Sequence, residues 1–267
     1  MRGYVDSPEG QIHYWSEGSG EPVVLFHQSP TASAEYAGVV PILARHYRAI
    51  AWDMPGRGNT YDPAIEYEIE DFARAMMVLL DGLEIERASL VGHHDGAIMA
   101  VEVAAMDPGR VDRIVLNGCA AWPDRFEARR AAARARAAAN PKPKGPVEGR
   151  QILVDTWDGY AAWSVPDARP EQVLPTVLLA LASKSRPQFP EMVPLYLPKI
   201  QDRMRLIGDR VLLTAGRHDQ YYVDELEATA ELFPAWETSI EESYGNFPGA
   251  EDPEAFAAMV LDLLGRN

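Results

Sequence analysis

Leu90-Val91-Gly92-His93-His94-Asp95-Gly96-Ala97 is the stretch that decides the fold of this chain. An apolar run at 88–91 leads into it, and a helix-forming run at 97–106 follows it. Two glycines flank the central residue, His94, and a residue without a side chain lets two backbones pass closely. The pattern predicts a strand that turns sharply into a helix, with His94 held in a strained conformation at the tip of the turn.

Apolar segments of strand length alternate with amphipathic helical segments on both sides of this turn. Runs such as 22–26 are apolar at every position, which is typical of strands covered on both faces of a parallel sheet. The alternation predicts an α/β protein with a mostly parallel sheet flanked by helices. Its eight strands are expected at 3–7, 11–16, 22–26, 48–52, 88–91, 111–118, 210–216 and 238–241.

The alternation stops between residues 122 and 206. Four helical stretches follow one another there, at 124–140, 149–163, 170–183 and 191–206. A chain of 267 residues fits one large core with an insertion. We therefore expect a core domain made of 1–121 and 207–267, with a helical cap at 122–206. Exposed apolar surface on such a cap could support a homodimer.

Composition narrows the partners and the compartment. The net charge of −15 disfavours nucleic acid and anionic membranes, which require clustered basic residues. The single cysteine, Cys119, excludes an internal disulfide and fits a reducing cytoplasm. Residues 1–7 lack the apolar core of a signal peptide, and no uncharged apolar run reaches about 18 residues. We expect a cytoplasmic protein that binds neither nucleic acid nor membrane.

Four short motifs, taken in their order along the chain, resemble those of the α/β-hydrolase superfamily. His27-Gln28-Ser29-Pro30-Thr31 resembles the H-G-x-P loop, with Gln28 where the family usually has Gly. Residues 53–58 resemble the D-x-P-G-x-G turn, 92–96 resemble the nucleophile elbow G-x-S-x-G, and 216–219 resemble the loop that carries the catalytic acid. The resemblance implies an α/β-hydrolase fold with an eight-stranded sheet and an inserted helical cap. It also implies small-molecule esters, lactones, amides or C–C bonds as substrates, and no cofactor.

Two of the three catalytic positions depart from that family's pattern. Where the family has Ser, Cys or Asp at the elbow, this chain has His94. Where the family has its histidine, in a G-H-F-x-x-x-E-D-P segment, this chain has Asn246, whereas the acid, Asp219, is present. A Ser-His-Asp mechanism needs a hydroxyl activated by an imidazole, so it cannot be assembled at these positions.

The departures favour the hypothesis that His94 is itself the catalytic group. An imidazole with a pKa near 6.5 can accept or donate a proton at neutral pH. We expect a relay from Asp219 through the Asn246 amide to the His94 ring, which would select the ring's tautomer. Such a base suits enolisation, retro-aldol cleavage, elimination or cyclisation. Hydrolysis also remains open, with His94 activating water or attacking as a nitrogen nucleophile.

Two further groups of residues complete the predicted site. The backbone N–H groups of Ser29 or Gln28 and of Asp95 are expected to form an oxyanion hole. His27 closes a buried strand, where a hydrogen bond that shapes this loop is the favoured role. For the aromatic residues at the entry to the cap and within it, packing of the cap on the core is the favoured role. Candidates for substrate contact are His27, Trp122, Trp157, Tyr160 and Trp163.

Two other interpretations stay open. A catalytically silent member of the superfamily would use the same scaffold to bind a ligand or a partner. A metal site is conceivable, but its potential ligands lack a spacing such as H-x-x-x-H on a helix, so no metal is expected. Those ligands would be His93, His94, Asp95, His218 and Asp219. His93 itself is predicted to point away from the tip of the elbow, into packing or onto the surface.

Overall fold

A central sheet of eight strands organises the protein, in a computed structural model that describes residues 1–139, 146–183, 192–219 and 222–265. The strands are β1 (Arg2–Ser7), β2 (Gly10–Glu17), β3 (Pro22–Phe26), β4 (Arg48–Trp52), β5 (Ala88–His93), β6 (Val111–Asn117), β7 (Val211–Gly216) and β8 (Glu237–Glu241). Their order in the sheet is β1-β2-β4-β3-β5-β6-β7-β8. The β1–β2 and β2–β4 pairs are antiparallel and the others are parallel. The predicted mostly parallel eight-stranded sheet is confirmed.

Helices cover both faces of this sheet. They are α1 (Val40–Leu43), α2 (Ile69–Gly82), α3 (Asp95–Met106), α4 (Pro123–Ala139), α5 (Pro146–Trp163), α6 (Pro170–Ser183), α7 (Met192–Met204), α8 (Val223–Leu232), α9 (Pro248–Glu251) and α10 (Pro253–Gly265). Short 3-10 helices lie at Ser33–Tyr36 and Pro108–Arg110. The predicted helix boundaries at Asn140 and Glu191 lie outside the described residues.

The apolar run of β3 shows why both faces must be covered. Side chains alternate between the two faces of a strand. Val24 and Phe26 join the apolar cluster that contains α2 and α3, whereas Val23 and Leu25 join the cluster that contains α1 and α10. Each of these four residues is at most 1% exposed. A strand buried on both sides has no place for a polar residue, which accounts for the continuous run.

The turn between β5 and α3 is the sharp elbow that the sequence predicts. His94 has φ 50° and ψ −112°, a conformation that a residue with a side chain rarely adopts. A Cβ on Gly96 would lie 2.2 Å from the carbonyl oxygen of Phe26, and one on Gly92 would lie 2.4 Å from the Cα of Ala97. The two glycines therefore allow the close crossing of α3 over β3 and β5.

The four helices α4 to α7 lie between β6 and β7 in the chain. Buried Glu102 of α3 anchors the last of them, since its carboxylate accepts hydrogen bonds from Tyr196 (2.5 Å) and from Arg203 (2.8 Å). The interpretation of α4–α7 as a cap over a site stays a prediction. Among the residues described, none of the helices is both long enough and apolar enough to cross a membrane.

A buried carboxylate holds the turn that follows β4. Asp53 accepts hydrogen bonds from the backbone N–H groups of Ser33 (2.7 Å) and Asn59 (2.8 Å) and from His13 Nδ1 (2.8 Å). Burial by itself would raise the pKa of Asp53, but the His13 hydrogen bond and the backbone donors outweigh it and lower the pKa to about 2. Asp53 therefore ties β2, β4 and the loop after β3 together.

Replacement of this carboxylate by an amide, Asp53→Asn, is expected to lower the free energy of unfolding by about 2 kcal/mol at pH 7. Because folding lowers the pKa of Asp53, its contribution is fully present above about pH 4 and is lost as the pH falls toward 2. The difference in the free energy of unfolding between wild type and variant should therefore decrease as the pH falls. It is measured by urea unfolding followed by tryptophan fluorescence. The same change at exposed Asp167 is the control, and a pH-independent gap would contradict the assignment.

Candidate active site

The elbow places His94 at the carboxyl edge of the sheet, where the loops after β3, β5, β6 and β7 meet. The backbone N–H of His94 donates to the carbonyl oxygen of Asn117, at the end of β6 (2.9 Å). In open α/β sheets, binding sites form at this edge because successive loops converge there. Loops that are far apart in sequence thus supply the neighbours of His94.

Both ring nitrogens of His94 have side-chain partners. Nε2 lies 2.9 Å from Oδ2 of Asp219, and Nδ1 lies 3.0 Å from Oε1 of Gln28. The His94 residue is 8% exposed and Asp219 is fully buried. Since a carboxylate only accepts hydrogen bonds, Nε2 carries a proton and donates a hydrogen bond to Asp219. The structure thus brings together His94 and Asp219, two of the three predicted catalytic residues.

Three residues pack against the His94 ring. The rings of Tyr222 and His93 lie with their centroids 4.5 Å and 4.1 Å from it. Gly118 lies beneath it with φ +63°, and a Cβ there would come within 2.4 Å of His94 Cδ2. Sequence reasoning missed Gly118 and Tyr222. A glycine directly after a strand that ends beside the elbow is the signal that points to Gly118, whereas nothing local singles out Tyr222.

Asn246, the third predicted catalytic residue, has a different partner from the one expected. Its amide Nδ2 donates to the backbone carbonyl of Trp163, at the end of α5 (2.9 Å). Buried Glu251 holds the surrounding loop by accepting from the N–H groups of Gly245 (2.6 Å) and Phe247 (3.4 Å). The predicted relay through the Asn246 amide is wrong, because the His94 ring reaches Asp219 without an intermediate.

One of the predicted oxyanion donors is already engaged by a carboxylate. The backbone N–H of Gln28 donates to Glu35 Oε2 (3.3 Å). Burial raises the pKa of Asp95 to about 6, although the Ser29 N–H opposes the rise. The prediction that the Gln28 N–H faces an oxyanion is therefore wrong for this contact, whereas the Ser29 N–H stays a predicted donor. The N–H of Asp95 begins α3 and has no acceptor within the helix, so it stays a predicted donor.

A second imidazole and a carboxylate form a buried pair behind the elbow. His93 is fully buried, and its Nδ1 lies 2.5 Å from Oε1 of Glu35. Burial would raise the pKa of Glu35, but His93 and the hydroxyl of Thr31 lower it overall. The prediction that His93 points away from the tip into packing agrees with this position. Sequence reasoning missed Glu35, because an acid in a short helix is ordinarily a surface residue.

The electrostatic surroundings favour a neutral His94 ring. Burial has the largest effect and lowers the pKa of His94 below its ordinary value, and the neighbouring His93 lowers it further. Asp219 acts in the opposite direction. Because burial prevails, the ring loses its proton at a lower pH than an exposed histidine does.

Two of the predicted substrate-contact residues form hydrogen bonds within the protein. His27 is fully buried, with Nδ1 donating to the Gln28 carbonyl (2.8 Å) and Nε2 accepting from the Met54 N–H (3.1 Å). It cannot contact a substrate, and it shapes the loop after β3, as the favoured interpretation held. The Trp122 indole N–H donates to Thr229 of α8 (3.1 Å), which joins the start of α4 to the core.

The other three aromatic candidates lie on α5. Tyr160 packs against Phe247 with ring centroids 5.3 Å apart, and burial, with a contribution from Glu35, raises its pKa to about 12. Tyr160 therefore lies on the side of α5 that faces the loop containing Phe247. Trp163 is 40% exposed, and Trp157 lines an apolar groove of about 360 Å³ between α5 and α6. For Trp157 and Trp163, contact with a substrate stays a prediction.

The potential metal ligands of this region are divided among separate contacts. His93 pairs with Glu35, and His94 pairs with Asp219. Within the described ranges, no group of three or more His, Cys, Asp or Glu side chains is arranged to hold a metal ion.

Superposition on solved structures decides the fold. A thermophilic esterase from Thermogutta terrifontis superposes with a TM-score of 0.76 over 99% of this chain and 98% of its own, at 19% identity. The chain has the α/β-hydrolase fold. A meta-cleavage product hydrolase from Pseudomonas fluorescens shares this fold with a TM-score of 0.73, over 98% of this chain and 97% of its own, at 22% identity.

Sequence comparisons agree with this fold over part of the chain. A family model described as alpha/beta hydrolase fold matches residues 21–142. A 2-hydroxy-6-oxo-2,4-heptadienoate hydrolase from Pseudomonas putida is 43% identical over 105 residues, which are 38% of this chain and 38% of that protein. Haloalkane dehalogenase 2 from Mycobacterium bovis is 33% identical over 45% of this chain and 42% of its own. The matches thus span about two fifths of these relatives.

Gly118→Ala is expected to displace the His94 ring and to destabilise the α/β-hydrolase fold by roughly 2–3 kcal/mol, from backbone strain plus overpacking. Gly208→Ala is a matched control, since Gly208 also has positive φ (+75°) but no neighbour within 4 Å of the point where a Cβ would stand. It should show only the cost of the backbone conformation. Urea unfolding gives the stability, and the ring ¹⁵N shifts of His94 report its bond to Asp219. Equal losses of stability in the two variants, with unchanged ¹⁵N shifts of His94, would contradict the packing of Gly118 against the His94 ring.

Proposed function

We propose that the chain is a cofactor-independent enzyme that acts on a small organic molecule, with His94 as its general base and acid. The observation that carries this proposal is the 2.9 Å hydrogen bond between His94 Nε2 and Asp219, at the tip of the elbow. A carboxylate that accepts from one ring nitrogen fixes the tautomer and leaves the other nitrogen as the base. The altered triad is thus reduced to a pair, in which Asp219 orients His94.

Nδ1 of His94 is the atom that exchanges the proton. The bond to Asp219 leaves Nδ1 with its lone pair when the ring is neutral. Because burial lowers the pKa of His94, this basic form prevails at neutral pH. Asp219 also stabilises the imidazolium that forms once Nδ1 has accepted a proton.

Hydrolysis of a carbonyl compound is the reaction that this arrangement and the similar proteins favour. Nδ1 takes a proton from water while the water oxygen attacks the carbonyl carbon, which gives a tetrahedral oxyanion. The Asp95 N–H, at the N-terminus of the twelve-residue α3, is the proposed donor to that oxyanion. Collapse of the intermediate expels the leaving group, which takes the proton back from Nδ1. Enolisation or elimination would use the same transfers to and from Nδ1 without the water.

We also infer that α4–α7 act as a cap over the site. The contacts of α5 support this role, because the Trp163 carbonyl accepts from Asn246 and Tyr160 packs against Phe247. Both partners belong to the loop at 245–247, in the segment where the family carries its catalytic histidine. A cap that touches this loop would shield the reacting atoms from bulk water.

A catalytically silent binding protein is the second candidate. The observation that favours it is that both ring nitrogens of His94 already have partners within the protein. A histidine with a purely structural role has the same pattern. Turnover separates the two candidates, because a silent protein would bind small ligands without converting them.

Turnover is to be measured on compounds of the classes named for the similar proteins: short-chain esters, a 2-hydroxy-6-oxo-2,4-dienoate and a haloalkane. His94→Gln and Asp219→Asn are expected to lower kcat by roughly 10²- to 10⁴-fold with folding intact. Activity should fall as the pH drops through the pKa of His94, with a midpoint below 6.5, because the base must be unprotonated.

Exposed His46 is the control position, and His46→Gln should retain full activity. Retention of activity by His94→Gln would refute the base. A wild type that binds members of the panel but converts none of them would favour the silent candidate.

A further inference from the structure

Two departures from the α/β-hydrolase pattern meet at the elbow. Gln28 stands where the family usually has Gly, and His94 stands where it has Ser, Cys or Asp. The two positions are 66 residues apart, yet Gln28 Oε1 lies 3.0 Å from His94 Nδ1. Gln28 is only 7% exposed, so its side chain is committed to this contact.

The hydrogen-bonding requirement at Nδ1 changes with the charge of the ring. Since Nε2–H donates to Asp219, a neutral His94 ring needs a donor at Nδ1 and a protonated ring needs an acceptor. A carboxamide offers both, and a half-turn about the Cγ–Cδ bond of Gln28 exchanges them. When Gln28 Oε1 contacts His94 Nδ1, the Gln28 Nε2 is buried without a partner among the described residues. The half-turn places the Gln28 N–H₂ group against His94 Nδ1, where it donates a hydrogen bond to the neutral ring.

The backbone of Gln28 is held in place while its amide is left to turn. Its carbonyl accepts from Thr31 N–H (3.0 Å) and His27 Nδ1 (2.8 Å). Its N–H donates to Glu35 (3.3 Å). A change in the protonation of His94 can therefore be followed by the amide without movement of the loop.

We propose that Gln28 is the positioning residue of His94. The Gln28 amide donates to the neutral His94 ring and turns to accept from the protonated ring. It is displaced when a substrate or its water reaches Nδ1. This inference rests on the proposed role of His94 as a base. A base passes through both protonation states in every cycle, and a partner that serves both keeps the ring in one orientation. Gln28 also occupies the place from which a proton donor must approach.

The groups that face the ring show why an uncharged partner matters. Asp219 lies in the loop after β7, and Glu35 lies in the 3-10 helix Ser33–Tyr36. Tyr222 lies at the start of α8, and His93 is the residue before His94 in the chain. Gln28 approaches from the loop after β3 and carries no charge. A glutamate at position 28 would place a second carboxylate on the ring and favour the imidazolium.

The titration of the His94 ring tests this proposal without a substrate. Ring ¹⁵N signals are assigned by their loss in His94→Gln and followed with pH in wild type, Gln28→Glu and Gln28→Ala. Gln28→Glu is expected to raise the midpoint by at least one pH unit, which is about a tenfold gain in proton affinity. Gln11→Glu adds the same charge at an exposed position on β2 and should leave the midpoint unchanged.

Gln28→Ala supplies a second readout that does not depend on the folding of the glutamate variant. It exposes Nδ1, so His94 should react with diethyl pyrocarbonate roughly tenfold faster than in wild type, as measured by mass spectrometry of the peptide that carries it. An unchanged rate in Gln28→Ala, or an unchanged midpoint in a folded Gln28→Glu variant, would overturn the proposal. If the titration midpoint and the modification rate both change as expected but wild type shows no turnover, the pairing of Gln28 with His94 stands and the proposed function fails.

Discussion

The strained turn at residue 94 is the constraint on which the rest of the site depends. A side chain at φ 50° and ψ −112° costs about 1–3 kcal/mol of backbone strain, and it persists only where its surroundings determine the conformation. Here Gly92 and Gly96 allow the crossing, and the bond from the His94 N–H to Asn117 fixes the turn to β6. The turn projects the imidazole beyond the sheet edge, where loops from β3, β6 and β7 can reach both of its nitrogens.

Paired charges then decide the chemistry of the ring. Three carboxylates, Asp219, Glu35 and Asp95, lie around two adjacent imidazoles in a region with little access to water. Two of the carboxylates have an imidazole partner: His94 for Asp219 and His93 for Glu35. Burial favours the neutral form of His94 in this setting, and the bond to Asp219 fixes the tautomer of the ring.

Local patterns in the sequence predicted the sheet and the elbow, because each depends on apolar periodicity or on glycines at fixed spacing. The position of Asp219 was predicted by the resemblance of residues 216–219 to the acid loop of the α/β-hydrolase superfamily. Local patterns could not predict contacts between distant loops. The N–H of Gln28 was predicted to be an oxyanion donor, but the carboxylate of Glu35 engages it. Nothing local to Asn246 shows that its amide is bonded to the end of α5. Tertiary pairing of this kind is absent from local composition, so it becomes visible only in coordinates.

The departures from the α/β-hydrolase pattern at positions 28, 94 and 246 have related geometric consequences. A serine at the elbow is too short to reach Asp219, so a separate histidine must stand between them. The His94 ring spans that gap by itself, because its two nitrogens lie on opposite sides of the ring and one of them bonds Asp219 at 2.9 Å. Asn246, at the position of that separate histidine, bonds the backbone of α5 instead. The other nitrogen of the His94 ring lies 3.0 Å from the side chain of Gln28, a contact that a glycine at position 28 could not make.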